Sequence, residues 1–177
     1  YAGSTSGVIY YLNENGSCME VLQAEGSIKA LMLHMTSDVL IVVKENMVIG
    51  QFQIDDDGQL SELSKVKMST RSKENHITWA GPSMLAITSG EMSIRIWNLK
   101  TDDNFVLQAP ATSGGGAATA EFISSMCFCE EKCMLAAGTN AGNILIWTYP
   151  PQILIQNETD WTCLPKISIG NTIKEIA

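Results

Sequence analysis

Two stretches of this chain align without a gap at an offset of 50 positions: Met84-Leu-Ala-Ile-Thr-Ser-Gly-Glu-Met-Ser-Ile-Arg-Ile-Trp97 and Met134-Leu-Ala-Ala-Gly-Thr-Asn-Ala-Gly-Asn-Ile-Leu-Ile-Trp147. Both begin Met-Leu-Ala and both end Ile-x-Ile-Trp. Val39-Leu-Ile-Val-Val-Lys-Glu-Asn-Met-Val-Ile-Gly-Gln-Phe52 fits the same template, with Phe52 in the Trp position. Gly7-Val-Ile-Tyr-Tyr-Leu12 fits its second half, with Leu12 in that position, and the turns Gly3-Ser-Thr-Ser-Gly7 and Gly138-Thr-Asn-Ala-Gly142 match each other. The anchors at 12, 52, 97 and 147 are therefore separated by 40, 45 and 50 residues. A repeat of this length marks a supersecondary unit that buries its apolar surface only by stacking on its neighbours.

Each unit resolves into short runs rich in β-branched and aromatic residues, bounded by turn formers such as Asp56-Asp57-Gly58 and Asn15-Gly16. The second unit predicts strands at 27–34, 38–44, 47–53 and 60–68. The third predicts strands at 76–80, 83–88, 93–99 and 104–108, and the fourth at 122–129, 133–137, 143–149 and 161–169. No segment sustains a helical period, so the chain reads as all-β. Four strands per repeat at about 40–45 residues is the pattern of a WD-type β-propeller blade. The longer third spacing is taken up by the small-residue tract Gln108-Ala-Pro-Ala-Thr-Ser-Gly-Gly-Gly-Ala-Ala-Thr-Ala120, which reads as a flexible loop. The expected organisation is one propeller segment: a partial blade at 1–26, blades at 27–75, 76–121 (with the loop at 109–120) and 122–171, and the start of another at 172–177. Propellers close with 4–8 blades. An incomplete arc of about three whole blades is expected to expose apolar blade faces and to be weakly stable or associating by itself.

Composition narrows the function. The net charge is −8, with 11 basic against 19 acidic residues, opposite to the clustered positive surface that nucleic-acid binding requires. The longest purely aliphatic run, 39–43, is far short of the about 20 residues that span a bilayer. The first residues show neither a positive n-region nor a long apolar h-region, so no signal peptide is expected. Cys18, Cys127, Cys129, Cys133 and Cys163 form an odd set without a regular framework, which fits reduced cytosolic thiols. In that compartment the sequons Asn15-Gly-Ser17 and Asn157-Glu-Thr159 stay unused.

Strand alternation places Cys127 and Cys129 on one face with Cys133 past a turn, but zinc wants four ligands and no fourth is near; buried structural cysteines are the expectation. Asp55-Asp56-Asp57-Gly58 lacks the alternating carboxylates and distant Glu of a calcium loop and reads as a solvated turn. His34 reads as a satisfied, half-buried strand residue, and His76 as opening a strand after the exposed loop Ser69-Thr-Arg-Ser-Lys-Glu-Asn75. There is no Gly-x-Ser-x-Gly elbow and no phosphate loop, and Gly114-Gly-Gly116 lacks the Lys and helix that a phosphate loop needs. Trp97 and Trp147 are expected to be core, as large residues of central strands. No catalytic, cofactor-binding or metal-binding residue, no cofactor and no small-molecule substrate are assigned.

Ile94-Arg-Ile-Trp97-Asn98 and Ile144-Leu-Ile-Trp147-Thr148 resemble the WD-repeat signature, with Asn98 and Thr148 in place of its Asp and no Gly-His dipeptide opening a unit. The hydrogen-bond relay that those residues build is therefore not expected in its usual form. Val8-Ile-Tyr-Tyr-Leu-Asn-Glu-Asn-Gly16, Leu40-Ile-Val-Val-Lys-Glu-Asn46, Ser64-Lys-Val-Lys-Met68, Met126-Cys-Phe-Cys129 and Met134-Leu-Ala-Ala-Gly-Thr-Asn-Ala-Gly142 resemble, in order, the N-terminal WD region of the intraflagellar transport 140 family. The resemblance implies a non-catalytic subunit of intraflagellar transport complex A, whose family joins tandem WD propellers to a long helical repeat. It implies retrograde ciliary transport with dynein, delivery of membrane proteins into cilia, and a place at the cilium, the basal body and the cytoplasm. The implied partners are the sister subunits and cargo adaptors. Alternatives in the same physical class are WD adaptors of a vesicle coat or a ubiquitin ligase; a propeller enzyme would need a convergent polar or metal-binding cluster.

Overall fold

Short apolar runs bounded by Gly, Asn and Asp leave the backbone little choice but to pair with adjacent runs, and the chain folds as a succession of antiparallel meanders. The computed structural model describes residues 1–34, 37–69, 75–110, 121–151, 155 and 157–176. It divides into two units, Tyr1–Ser69 and Thr70–Ala177. In the first unit β1 (Ala2–Gly3), β2 (Val8–Leu12) and β3 (Cys18–Gln23) form a three-stranded sheet. There, β4 (Ile28–Leu33), β5 (Val39–Lys44), β6 (Val48–Ile54) and β7 (Leu60–Lys67) form a four-stranded one. In the second unit β8 (Asn75–Gly81), β9 (Met84–Ser89), β10 (Ser93–Asn98) and β11 (Asn104–Gln108) form a four-stranded sheet. The last sheet orders β12 (Ile123–Cys129), β13 (Met134–Thr139), β14 (Asn143–Thr148) and β15 (Thr162–Cys163), with β16 (Ile167–Ser168) also on β14. No described segment is an α-helix.

Three expectations need correction. The strand expected at 161–169 is broken into β15 and β16, because Pro165 has no N–H to offer the ladder at its middle. Residues 172–176 form no strand, although Ile173 is buried. The tract at 111–120 and the charged stretch at 70–74 lie outside the described residues. Asn75, read as the end of an exposed loop, instead begins β8 and is buried.

Within each unit the two sheets pack face to face. Ile9 of β2 meets Leu40, Val42 and Phe52 in one apolar cluster. In the second unit Ile94, Ile96 and Leu107 pack against Leu135, Leu145, Trp147 and Tyr149. Phe52 and Trp147 thus both turn toward the sheet that precedes their own in the chain. Leu12 holds the same register position but is 53% exposed, with no sheet laid against it among the described residues.

The two Gly-x-x-x-Gly turns perform the same task. Gly3 and Gly138 leave room for a following isoleucine: a Cβ on either would collide with Ile28 or Ile173. Ile28 and Ile173 then donate their N–H to Ser4 O and Thr139 O at 3.3 and 3.1 Å. The second glycines, Gly7 (φ +90°) and Gly142 (φ +80°), turn in the left-handed region beneath the returning chain. Their carbonyls accept from Ala24 N and Ile169 N at 2.9 and 2.8 Å. One local motif therefore both turns the chain between two paired strands and seats an isoleucine farther along it, Ile28 at the start of β4 and Ile173 after β16. Gly142→Ala places its Cβ 2.5 Å from Asn171 O, whereas Gly170 (φ +77°) has open space around that position. Gly170→Ala is expected to cost about 1–2 kcal/mol for the backbone conformation alone, and Gly142→Ala roughly 1–3 kcal/mol more for the overlap. Denaturant unfolding followed by tryptophan fluorescence checks this, and equal losses would refute the seating role of Gly142.

Candidate interaction surface

The residues singled out for chemistry do not converge. Cys127 and Cys129, two apart on β12, share a face, opposite Ala136 and Met134 of β13. Cys133 turns away, at φ +49°, with its thiol 3.6 Å from Glu130 O. Cys163 lies in register with Trp147, on the face that packs into the core. Burial pushes the Cys127 thiol up, with Cys129 beside it adding to the effect, and burial alone raises Cys163. Among the described residues no three potential ligands are grouped to hold a metal ion. Asp55 Oδ1 is occupied in its own turn, accepting from Asp57 N at 3.0 Å and Gln59 N at 2.7 Å. His34 sits half-buried beyond β4, its backbone N–H on Val39 O at 2.9 Å. His76 is half-buried within β8, in register with Thr88.

Buried polar groups instead hold the ends of strands. Trp97 is buried and donates its indole N–H to Asp102 at 2.9 Å, tying β10 to the turn that follows it. At Asn98 the side chain accepts from Lys100 N at 3.0 Å, closing that turn. In the last sheet Glu121 accepts from Thr139 Oγ1 at 2.7 Å and from Asn143 Nδ2 at 2.6 Å. Thr139 Oγ1 in turn accepts from Asn143 N at 3.1 Å, and Ser168 bonds the Asn143 amide at 2.5 Å. One carboxylate thus joins the chain before β12 to the ends of β13, β14 and β16. Sequence reasoning missed it, although Thr139 and Asn143 stand in the Gly-Thr-Asn-Ala-Gly-Asn turn and Glu121 directly follows the small-residue tract. At the opposite end of this sheet Tyr149 packs edge-on to Trp161 with ring centres 4.7 Å apart. Burial raises the Tyr149 phenol far above its usual value, and the Cys133 thiol and Glu130 add to the shift.

Strand edges are poor candidates for recognition. Opposite β2, Val21 is an extra residue of β3; opposite β6, Leu63 is an extra residue of β7 and stands 54% exposed. Between β15 and β16, Leu164-Pro165-Lys166 oppose only two residues of β14. β11 keeps regular pairing but lies against the 3-10 turn Glu158–Asp160. Bulges, proline and cover are the usual means of blocking strand addition. What remains in the first unit is a cleft of about 220 Å³ between its two sheets. Leu22, Val42, Val48, Gly50 and Phe52 form its walls, and Glu25, Lys44, Glu62 and Lys65 stand on its rim.

The strand-end network has a measurable consequence. Thr139→Val removes the hydroxyl that both donates to Glu121 and accepts from Asn143 N, leaving buried partners unmet at a cost of about 2–3 kcal/mol. Glu121→Gln keeps an acceptor in place and is expected to cost about 1 kcal/mol. Unfolding midpoints of the two variants check the order, and a larger loss for Glu121→Gln would contradict the relay.

Comparison with known proteins agrees with this geometry. The chain resembles a protein from Lactobacillus plantarum, with TM-score 0.60 and 13% identity over 92% of this chain and 52% of that one. It also resembles a chain of the mitotic checkpoint complex, with TM-score 0.62 and 15% identity over 98% of this chain and 50% of that one. It spans about half the length of either, and at such identities the likeness concerns the fold alone. The family model described as the IFT140 first beta-propeller matches residues 1–177. The all-β sheets are those of a WD40-type β-propeller, and the chain belongs to the family of the IFT140 first β-propeller.

Proposed function

We propose that this propeller is a non-catalytic scaffold of intraflagellar transport complex A, serving retrograde ciliary transport and the delivery of ciliary cargo. The observation that carries the reading is the match of the IFT140 first-propeller family across residues 1–177. The site chemistry is in keeping with it: Glu121, Thr139 and Asn143 join strand ends, and Trp97 and Asp102 close a turn. The partners are sister subunits of the complex and cargo adaptors, met at the cilium and its basal body as well as in the cytoplasm. The sheets act as successive blades divided at 26/27, 75/76, 121/122 and 171/172. The exposed Leu12 face then lies against a further blade of the same ring, as Phe52 and Trp147 lie against the sheets before theirs.

Affinity purification of the tagged full-length protein from ciliated cells, read by mass spectrometry, tests this. The expected result is recovery of the other complex A subunits, with the tag seen at the ciliary base and along the shaft. Recovery of vesicle-coat or ubiquitin-ligase components in their place would keep the fold and overturn the transport reading.

A further inference from the structure

The cleft of the first unit has a size that restricts its occupant. Small-molecule sites run from about 300 to 1,000 Å³, and this one is about 220 Å³. That is below the range for drug-sized ligands, while a dry cavity of about 150 Å³ already accepts a benzene ring. Room for one ring or one branched side chain, open to solvent on one side, suits a residue presented by another polypeptide.

Its origin lies in the repeat. Two positions before the anchor the other units carry Tyr10, Arg95 and Leu145; here the residue is Gly50. Without a side chain, Gly50 lets the ring of Phe52 fold over its backbone, so close that a Cβ would lie 2.6 Å from Phe52 Cε2. The Phe52 ring, 6% exposed, thus takes the space over Gly50, and the gap between the facing sheets is lined by both residues. Beside this gap stand two ammonium groups. Lys65 lies directly opposite Gly50 on β7, and Lys44 stands two positions beyond Val42, which opposes Gly50 on β5. Neither lysine forms an ion pair among the described residues. Of the two acidic rim residues, Glu62 lies farther along, opposite Phe52, and Glu25 belongs to the loop after β3.

We propose that this cleft is a docking site for an extended segment of a partner protein that inserts one apolar side chain over Phe52 and Gly50 and sets an adjacent carboxylate between Lys44 and Lys65. The site deepens the scaffold reading by giving the chemistry of one class of partner, and it rests on that reading only in taking the occupant to be protein. Burial of the anchor against Val42, Val48 and Leu22 supplies the attraction, and the lysine pair selects the flanking residue. The blunted outer strands leave strand addition a poor competing mode, which directs an extended segment to the gap between sheets.

Saturation-transfer NMR on the purified full-length protein tests the site with three synthetic peptides: Gly-Ser-Asp-Phe-Asp-Ser-Gly, Gly-Ser-Lys-Phe-Lys-Ser-Gly and Gly-Ser-Asp-Ala-Asp-Ser-Gly. The Asp-Phe-Asp peptide is expected to receive at least three-fold more saturation per proton than either of the others. The double variant Lys44→Glu/Lys65→Glu is expected to abolish the difference, while Lys132→Glu, in the other unit, leaves it intact. Gly50→Ala, which drives the Phe52 ring toward the gap, should lower the signal as well. Equal transfer to all three peptides, a preference for Lys-Phe-Lys, or indifference to the double reversal would overturn the proposal. Co-purification of complex A subunits by the same double variant separates the two readings: retained subunits with lost peptide binding leaves the scaffold role standing beside the docking site.

Discussion

A strand meander of this length has two apolar faces and covers neither by itself, so within each unit the second sheet depends on the burial of one large side chain against the sheet before it. Phe52 and Trp147 show the rule on either side of the unit boundary, each closing a cluster with residues of the preceding sheet. Burying such an aromatic stabilises the fold by several kcal/mol, of the same order as the net stability of a domain. This is why the position recurs as the most legible mark in the sequence. Leu12 shows the same rule from the other side: with no sheet against it among the described residues, a residue of equal register is half exposed.

That dependence explains what the sequence made legible. Third strands were found because the anchor and its alternating isoleucines are fixed by packing on both faces. The expected 93–99 and 143–149 became Ser93–Asn98 and Asn143–Thr148. Outer strands have one edge free and fewer packing demands, so their pattern is weaker. There the reading of 161–169 as one strand missed the effect of Pro165 on the ladder. The buried start of β8 at Asn75 was missed for a related reason, since a polar run reads as a loop when its partners are distant in sequence. The start of a further blade is expected at 172–177; residues 172–176 form no strand, and Ile173 is held by Ser124 and Thr139.

Of the functional features, the cleft was not readable in the sequence. A cleft depends on what a residue fails to fill. Gly50 in a strand looks merely unfavourable in sequence, since glycine there loses packing and entropy. Its meaning emerges only when the facing sheet and the fold of Phe52 over it are known. The bulges at Val21 and Leu63 are likewise invisible to periodicity, because one inserted residue shifts the alternation by a single step.

The departures from the WD signature at Asn98 and Thr148 can be understood in the same terms. The usual relay does two jobs: it satisfies buried polar groups at strand ends and fixes the turns between strands. In this chain the jobs are divided among local solutions. The Trp97 indole reaches Asp102 in the turn after β10, and Asn98 caps that turn with its side chain. At the fourth sheet, Thr148 donates to Cys133 O at 3.1 Å, joining the ends of β13 and β14, while Glu121 gathers Thr139 and Asn143 at the other end of the same strands. A buried donor or acceptor left unmet costs about 1–3 kcal/mol, so stability depends on whether each group finds a partner more than on which residue provides it. Once the anchor packing fixes where the strands lie, different side chains can take up the groups at their ends, although Thr88 Oγ1, Ser125 Oγ and Trp161 Nε1 are buried without a hydrogen bond among the described residues. The signature can then drift while the sheets, and the gaps between them, stay in place.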